Sequence, residues 1–356
     1  MLHLNKISMF LKITIAAVVI LLALTSCKNE SVSADTEYFA ELDGRSVIYK
    51  DGMYTFENGL LSFLSFDTCK TLPVCYKPNC THDTEDCPAY MPNVSTIFVY
   101  GDSLYSFASE YEWDKNDGKA TINTTLYRSD VSGANRRKYS SLEGLRVQYG
   151  AYVKDGKAYF TASEAEFDET GSTTGSTAEY LYSCDLLDGS MEELAKIAEG
   201  YNALLSISGC YDRRLVLEYR EGGEDAESQA ESRYSFYDPK KGDIEAIKGR
   251  VIRAQKGWLI LKNGDKLEIY STGSNEPYII TDNRYVDPEW GGYAISGNRL
   301  ILSADGIAID LETKNEYTTL ICTIIARYND GFIVRIAGQQ GYKLVTDGEF
   351  YSVKTS

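Results

Sequence analysis

Histidine is nearly missing from this chain. His3 and His82 are the only two in 356 residues, beside three tryptophans and seven prolines. With one candidate base left beyond the N-terminal segment, a Ser-His-Asp hydrolase would have to use His82, and no Gly-x-Ser-x-Gly elbow accompanies it. His-Glu-x-x-His, a Gly-rich phosphate loop and the dinucleotide fingerprint are absent too. Asp boxes of the sialidase type are missing, and SADGIAID (303–310) matches that pattern only in part. Positive charge is also short: 36 Lys and Arg face 52 Asp and Glu, for a net charge of −16. That balance excludes nucleic acid and anionic headgroups as partners, since both require a basic surface. No Pro- or Ser-rich linker divides the chain, and no helical periodicity of any length follows residue 24, which favours one large all-β domain.

What is present begins at the N-terminus. Lys6 and Lys12 precede the apolar run ITIAAVVILLAL (13–24), which ends at Thr25, Ser26 and Cys27. A basic start, a dozen apolar residues and a small-residue boundary make an export signal, and the run is short for a transmembrane helix of about 20 residues. Leu24-Thr25-Ser26-Cys27 resembles the bacterial lipobox. That likeness implies residues 1–27 as signal, a lipid-bearing Cys27 as the mature N-terminus, and a lipid anchor on the extracytoplasmic face of the cell membrane. KNESVSADTE (28–37) is polar and reads as a short tether. Loss of the signal removes two lysines and no acid, so the exported part is more acidic still.

Beyond the tether the chain repeats. A turn of Asp, Asn or Gly type leading into an alternating strand recurs as YKDGMYTF (49–56), VYGDSLYSF (99–107), VKDGKAYFT (153–161), CYDRRLVLEY (210–219), AQKGWLILK (254–262), ISGNRLILS (295–303) and YNDGFIVRI (328–336). Each is a hairpin signal. A second strand ending in a turn follows most copies, as in LYRSDVSG (126–133) or GIAIDLETK (306–314). With the segments between copies, each unit makes about four strands in roughly 35–55 residues, the mark of a β-propeller. The 28 tyrosines suit such a fold, being good strand formers with an apolar body and a polar tip. Seven four-stranded blades over 37–356 are expected, with six or eight as the neighbouring counts and a sandwich as the competing architecture. TEYFAELDG (36–44) is expected to close the ring by pairing with EFYSVKT (349–355).

Between the first two blades lies an insertion, 68–90, with Cys75, Cys80, His82 and Cys87 packed close together and Cys69 just upstream. Three chemistries fit. Structural zinc would take Cys75, Cys80, His82 and Cys87 as a tetrahedral Cys3His set. Two disulfides would use Cys69, Cys75, Cys80 and Cys87, most simply in adjacent pairs, and an oxidising compartment tilts the balance slightly that way. A catalytic thiol activated by His82 would need a partner for the imidazole, and none can be named. Cys184, Cys210 and Cys322 fall in or beside strand signatures and read as buried and inert, with a Cys184–Cys210 bridge as the alternative.

The segment Cys75-x4-Cys80-x-His82-x4-Cys87 followed by Pro-Ala-Tyr (88–90), behind a lipobox and ahead of Asp-Gly-x-x-Tyr repeats, resembles a group of lipoproteins of Gram-positive anaerobes. These carry a propeller-like domain of unknown function, related to TolB-type and YVTN-type propellers. The resemblance implies a fold and a location and brings no reaction with it. Cys69 departs from the group's pattern, which weighs against two disulfides.

Long hydrophilic insertions sit at the same place in blades two, three and four: 110–125, 164–179 and 221–232. Loops side by side on a rigid scaffold are where binding tends to reside. Trp113, Asp114, Phe167, Asp168 and Glu169 are the candidate ligand-binding residues within them. The expected function is a membrane-anchored binding or scaffolding propeller for an extracellular protein, peptide or glycan. The alternative is a carbohydrate-active enzyme working with carboxylates and tyrosines.

Overall fold

The computed structural model describes residues 38–39, 44–114, 119–165, 176–201, 203–221, 232–255, 257–274, 276–289 and 292–353. They form a seven-bladed β-propeller. β1 (Tyr38–Phe39) precedes the blades. Blade 1 is β2 (Ser46–Tyr49), β3 (Gly52–Glu57), β4 (Leu60–Ser65) and β5 (Lys70–Pro73). Blade 2 is β6 (Val94–Tyr100), β7 (Ser103–Asp114), β8 (Lys119–Asp130) and β9 (Arg137–Glu143). Blade 3 is β10 (Arg146–Lys154), β11 (Lys157–Glu164), β12 (Ser176–Asp185) and β13 (Met191–Tyr201). Blade 4 is β14 (Leu204–Tyr211), β15 (Arg214–Arg220), β16 (Arg233–Asp238) and β17 (Asp243–Ile247). Blade 5 is β18 (Arg250–Gln255), β19 (Trp258–Asn263), β20 (Lys266–Ser271) and β21 (Tyr278–Ile280), followed by the one-turn helix α1 (Asn283–Val286). Blade 6 is β22 (Tyr293–Ser296), β23 (Arg299–Leu302), β24 (Ile307–Asp310) and β25 (Glu316–Thr319). Blade 7 has three strands, β26 (Thr323–Tyr328), β27 (Gly331–Arg335) and β28 (Lys343–Thr346), then α2 (Asp347–Phe350) and β29 (Tyr351–Val353).

All seven predicted turns fall between the first two strands of a blade. In blade 3, Lys154 pairs with Lys157, leaving Asp155 and Gly156 as a two-residue loop at φ 49° and 78°. Both loop residues at positive φ match the right-handed twist of the flanking strands. Blade 4 does the same with Asp212 and Arg213, at φ 48° and 65°.

Blades stack face to face, so a middle strand is covered on both sides. Along β11, Ala158, Phe160 and Ala162 join Phe98, Phe107 and Leu126 of blade 2. The alternate Tyr159 joins Leu205, Ile207 and Leu215 of blade 4. One apolar cluster of this kind fills each seam of the ring.

Closure differs from the expectation that 36–44 would pair with 349–355. β1 instead adds to β10, with Tyr38 opposite Val153 and Phe39 opposite Tyr152. β29 adds to β25 on the rim of blade 6. The cause at the C-terminus is local. Thr346 and Glu349 form a reciprocal capping box that starts α2, and buried Phe350 packs at a tilt on Phe332, ring centres 4.4 Å apart, turning the chain toward blade 6. At the other end, the Gly44 carbonyl accepts from the Ile97 amide at 2.8 Å. A Cβ on Gly44 would lie 2.5 Å from the Gly150 nitrogen, so only glycine passes there. Blades 1 and 7 therefore meet through side chains. Met53, Leu64 and Phe66 pack on Ala326 and Ile333, and the Tyr328 hydroxyl donates to Asp67 at 2.5 Å.

Strand directions give the ring two faces. One, called lower here, carries the turns between first and second strands. The upper face carries the second-to-third hairpins and the blade-to-blade connections. β1 runs antiparallel to β10, so the chain rises along the channel side of blade 3 from the lower face toward the upper.

Candidate functional site

The blade 1–blade 2 connection follows β5, packs on the β3–β4 hairpin of blade 1 and the β8–β9 turn of blade 2, and holds the cysteine-histidine cluster. One ligand atom each from Cys75, Cys80, His82 and Cys87 fall within 4.8 Å of one another. The sulfurs sit in amide-rich turns. Cys75 Sγ accepts the Lys77 amide at 3.4 Å, Cys80 accepts the His82 amide, and Cys87 accepts those of Ala89 and Tyr90. His82 Nδ1 lies 3.2 Å from Cys87 Sγ, with the His82 backbone at φ 61°. The His82 amide draws the Cys80 thiol below its ordinary range, whereas burial pushes Cys87 up against the opposing pull of its two amides. Amide donors aimed at sulfur favour thiolate over thiol. A group of three sulfurs and one imidazole is the donor set of a closed tetrahedral metal site.

Cys69 is not part of this group. It lies at the lower end of β5, whose four residues span about 13 Å at a strand's rise per residue, and its thiol points to the Phe66 carbonyl at 3.6 Å. A disulfide needs Cα atoms within about 7 Å. The two-disulfide arrangement is therefore not what the structure holds: Cys69, Cys75, Cys80 and Cys87 all carry free thiols. Cys184 and Cys322 are also free and buried, with burial pushing them to about 12 and about 11 respectively. Cys184 thus makes no bridge to Cys210, whose thiol meets the Tyr152 hydroxyl at 3.1 Å.

The insertion of blade 2 reads as a loop in sequence but is strand up to its tip. Pairing of β7 with β6 ends at Ala108 and pairing of β8 with β9 ends at Asn123, yet β7 and β8 stay paired out to Asp114 and Lys119. A two-stranded ribbon therefore rises above the upper face. Its backbone includes Trp113 and Asp114, and Tyr111 on it is 41% exposed. In blade 3 the pairing of β12 with β13 likewise extends to Ser176 and Tyr201, with Tyr201 44% exposed. Phe167, Asp168 and Glu169 lie outside the described residues. Glu110, Glu112, Glu164, Glu199 and Glu221 are exposed around this rim, and the Tyr180 hydroxyl donates to Glu164 at 2.9 Å.

Two carboxyls below the rim were not singled out by sequence. Glu179 is fully buried between blades 3 and 4; its Oε2 accepts the Leu205 amide at 3.2 Å, and Oε1 has no partner among the described residues. Burial pushes it to about 8, against a smaller opposing pull from that amide. Burial acts on Glu218 the same way, but Arg220, Ser232 and Ser208 outweigh it and hold that carboxyl below its usual range. Nothing in composition marks either residue; the signal lies in cross-strand register, which sets Arg146 opposite Ser163 and Ser163 opposite Glu179.

No protein-family model matches the chain, and no curated protein matches it. Among solved structures it is similar to an acylaminoacyl peptidase of Pyrococcus horikoshii, at 14% identity and a TM-score of 0.38, over 86% of this chain and 44% of that one. It is also similar to dipeptidyl peptidase 4 of Porphyromonas gingivalis, at 9% identity and a TM-score of 0.41, over 92% and 54%. A third likeness is to a GH93 alpha-L-arabinofuranosidase of Fusarium graminearum, at 13% identity and a TM-score of 0.37, over 88% and 93%. The chain thus spans less than half the length of the first peptidase. Likenesses of this size carry no argument about activity.

Proposed function

We propose that this protein is an exported propeller, held to the extracytoplasmic face of the membrane by lipid on Cys27, that binds a protein, peptide or glycan through the upper rim of blades 2 to 4. The observation that carries this reading is the ribbon of blade 2. It stands clear of its blade, beside exposed tyrosine and glutamate on blade 3. Tyrosine offers flat contact area with a polar tip, and carboxylates offer acceptors for sugar hydroxyls or cationic side chains. A scaffolding role in an envelope complex is the same reading with a protein as the ligand. Zinc on Cys75, Cys80, His82 and Cys87 belongs to it as a structural ion, because the donor set is closed and leaves no position for substrate.

A second reading, a carbohydrate-active enzyme, is favoured by Glu179 and Glu218. Their environments push two carboxyls of adjoining blades in opposite directions, as the members of an acid and base pair would be. Glu179 is wholly enclosed, so substrate does not reach it, and binding without chemistry stands first. The test replaces residues 110–123 with a two-residue turn and screens both proteins on a glycan array and in pull-downs from intact cells. Binding by the full chain, lost in the shortened one while folding is kept, is the expected result. Hydrolysis of a glycan that is abolished by Glu218→Gln would replace this reading with the enzymatic one.

A further inference from the structure

The residues beside the four metal-ligating side chains are the ones that join blade 1 to blade 2. Val74, immediately before Cys75, is buried in the cluster shared by Val47, Tyr54 and Leu61 of blade 1 and Val94, Val99 and Leu104 of blade 2. Its amide donates to the Leu61 carbonyl at 3.0 Å. Immediately after Cys87, the Ala89 carbonyl accepts the Leu61 amide at 2.8 Å, and the Met91 amide donates to Gly59 at 2.8 Å. Leu60 and Tyr90 complete an isolated antiparallel bridge. Both ends of the insertion are thereby sewn to the β3–β4 hairpin of blade 1.

Blade 2 grips the same short stretch from the other side. Arg136, in the β8–β9 turn, donates to the Tyr90 carbonyl at 2.9 Å. Gly133 in that turn, at φ 77°, lies so near Val74 that a Cβ there would be 2.9 Å from the Val74 carbonyl oxygen. The Tyr54 hydroxyl of blade 1 donates to Val131 at 2.6 Å. Between these two anchored ends, residues 76–86 have little apolar content to bury, so packing alone gives them no reason to hold one shape.

We infer that zinc bound by Cys75, Cys80, His82 and Cys87 is a clasp for the blade 1–blade 2 seam, ordering the backbone on both sides of the ligands so that metal loading sets how firmly the two blades are joined. The inference rests on the zinc reading above and adds a location for its effect. Coordination fixes the separation and direction of Cys75 and Cys87, and through them the Val74 and Ala89–Met91 backbone that carries the seam hydrogen bonds. The rest of the ring has its own apolar seams and does not need the ion.

The experiment uses the protein from residue 28 onward, purified with zinc and then stripped by a chelator. Metal content is measured first, with cobalt(II) as a spectroscopic probe for thiolate coordination. Amide hydrogen exchange then follows Leu61, Val74 and Met91 in the seam and Leu259, Ile260 and Leu261 in blade 5. The expected result is one zinc per chain, and, on its removal, seam exchange faster by about tenfold or more with blade 5 unchanged. Cys80→Ser, altering a partly exposed ligand, should bind no ion and reproduce the stripped pattern. Should that variant fail to fold, the chelated native chain decides alone. Zinc bound but exchange altered equally everywhere or nowhere overturns the clasp and leaves the zinc reading intact. A chain that takes up no zinc or cobalt with its thiols reduced overturns both.

Discussion

At the scale of single residues, the ring tolerates several polar groups inside it by giving them partners on the neighbouring blade. Thr161 Oγ1 donates to the Leu205 carbonyl at 2.9 Å and Thr96 Oγ1 to the Gln148 carbonyl at 3.1 Å. Glu179 is the buried carboxylate among those left short, with one accepted hydrogen bond and one bare oxygen. The fold keeps its proton to about pH 8, while an unfolded glutamate releases it near 4.3. The native state thus binds the extra proton across that window, and stability falls as pH rises from about 4.5 to 8. The accumulated loss is on the order of 3–5 kcal/mol. Glu179→Gln removes the titration, so its urea midpoint should stay flat between pH 5 and 8.5 where that of the native chain declines. Parallel declines in both would show that Glu179 ionises freely in the folded protein.

Turns and strands are the next scale, and here sequence served well for a definite reason. Positive φ at a two-residue loop restricts which residues fit there, so Asp, Asn and Gly gather at or beside the first turn of every blade and mark it in the sequence. Blades 1, 4 and 7 have no glycine in that loop, and blade 4 holds the bulky Arg213 at φ 65°. Arg213→Gly should stabilise the protein by about 1 kcal/mol by relieving that strain, read as a higher denaturant midpoint with an unchanged slope. Illegible by the same logic were features set by long-range packing. The ribbon of blade 2 is rich in polar residues and so read as loop, yet cross-strand pairing carries it to Asp114. The cluster residues were visible from their spacing, but the exclusion of Cys69 was not. It follows from β5 standing between Cys69 and Cys75, a separation that only the folded direction of the strand reveals.

For the molecule as a whole, the route of closure matters most. The first and last blades are each one continuous stretch of chain, the terminal strands β1 and β29 adding to blades 3 and 6 instead, so the two ends of the ring meet without exchanging a strand. The blade 1–blade 7 seam therefore depends on a small cluster, in which Phe66 is 1% exposed and packs edge-on to Tyr328 at 5.3 Å. Phe66→Ala should cost about 3–5 kcal/mol. It should also split thermal unfolding into two steps, with blades 1 and 7 leaving first, as followed by proteolysis of the cooled intermediate. A single transition at lower temperature would mean that the ring melts as one unit whichever seam is weakened.

The path of β1 has a mechanical consequence. A pull on the chain ahead of Tyr38 is delivered to β10 before it reaches blade 1, because Tyr38 and Phe39 pair with Val153 and Tyr152 on the inner edge of the third blade. The force runs along the strand, loading those hydrogen bonds in shear, and behind them Gly44 is lodged against Gly150 and Thr96. Traction at this end is spread over blades 2 and 3, among the best buried parts of the ring, and the small seam that closes it is spared.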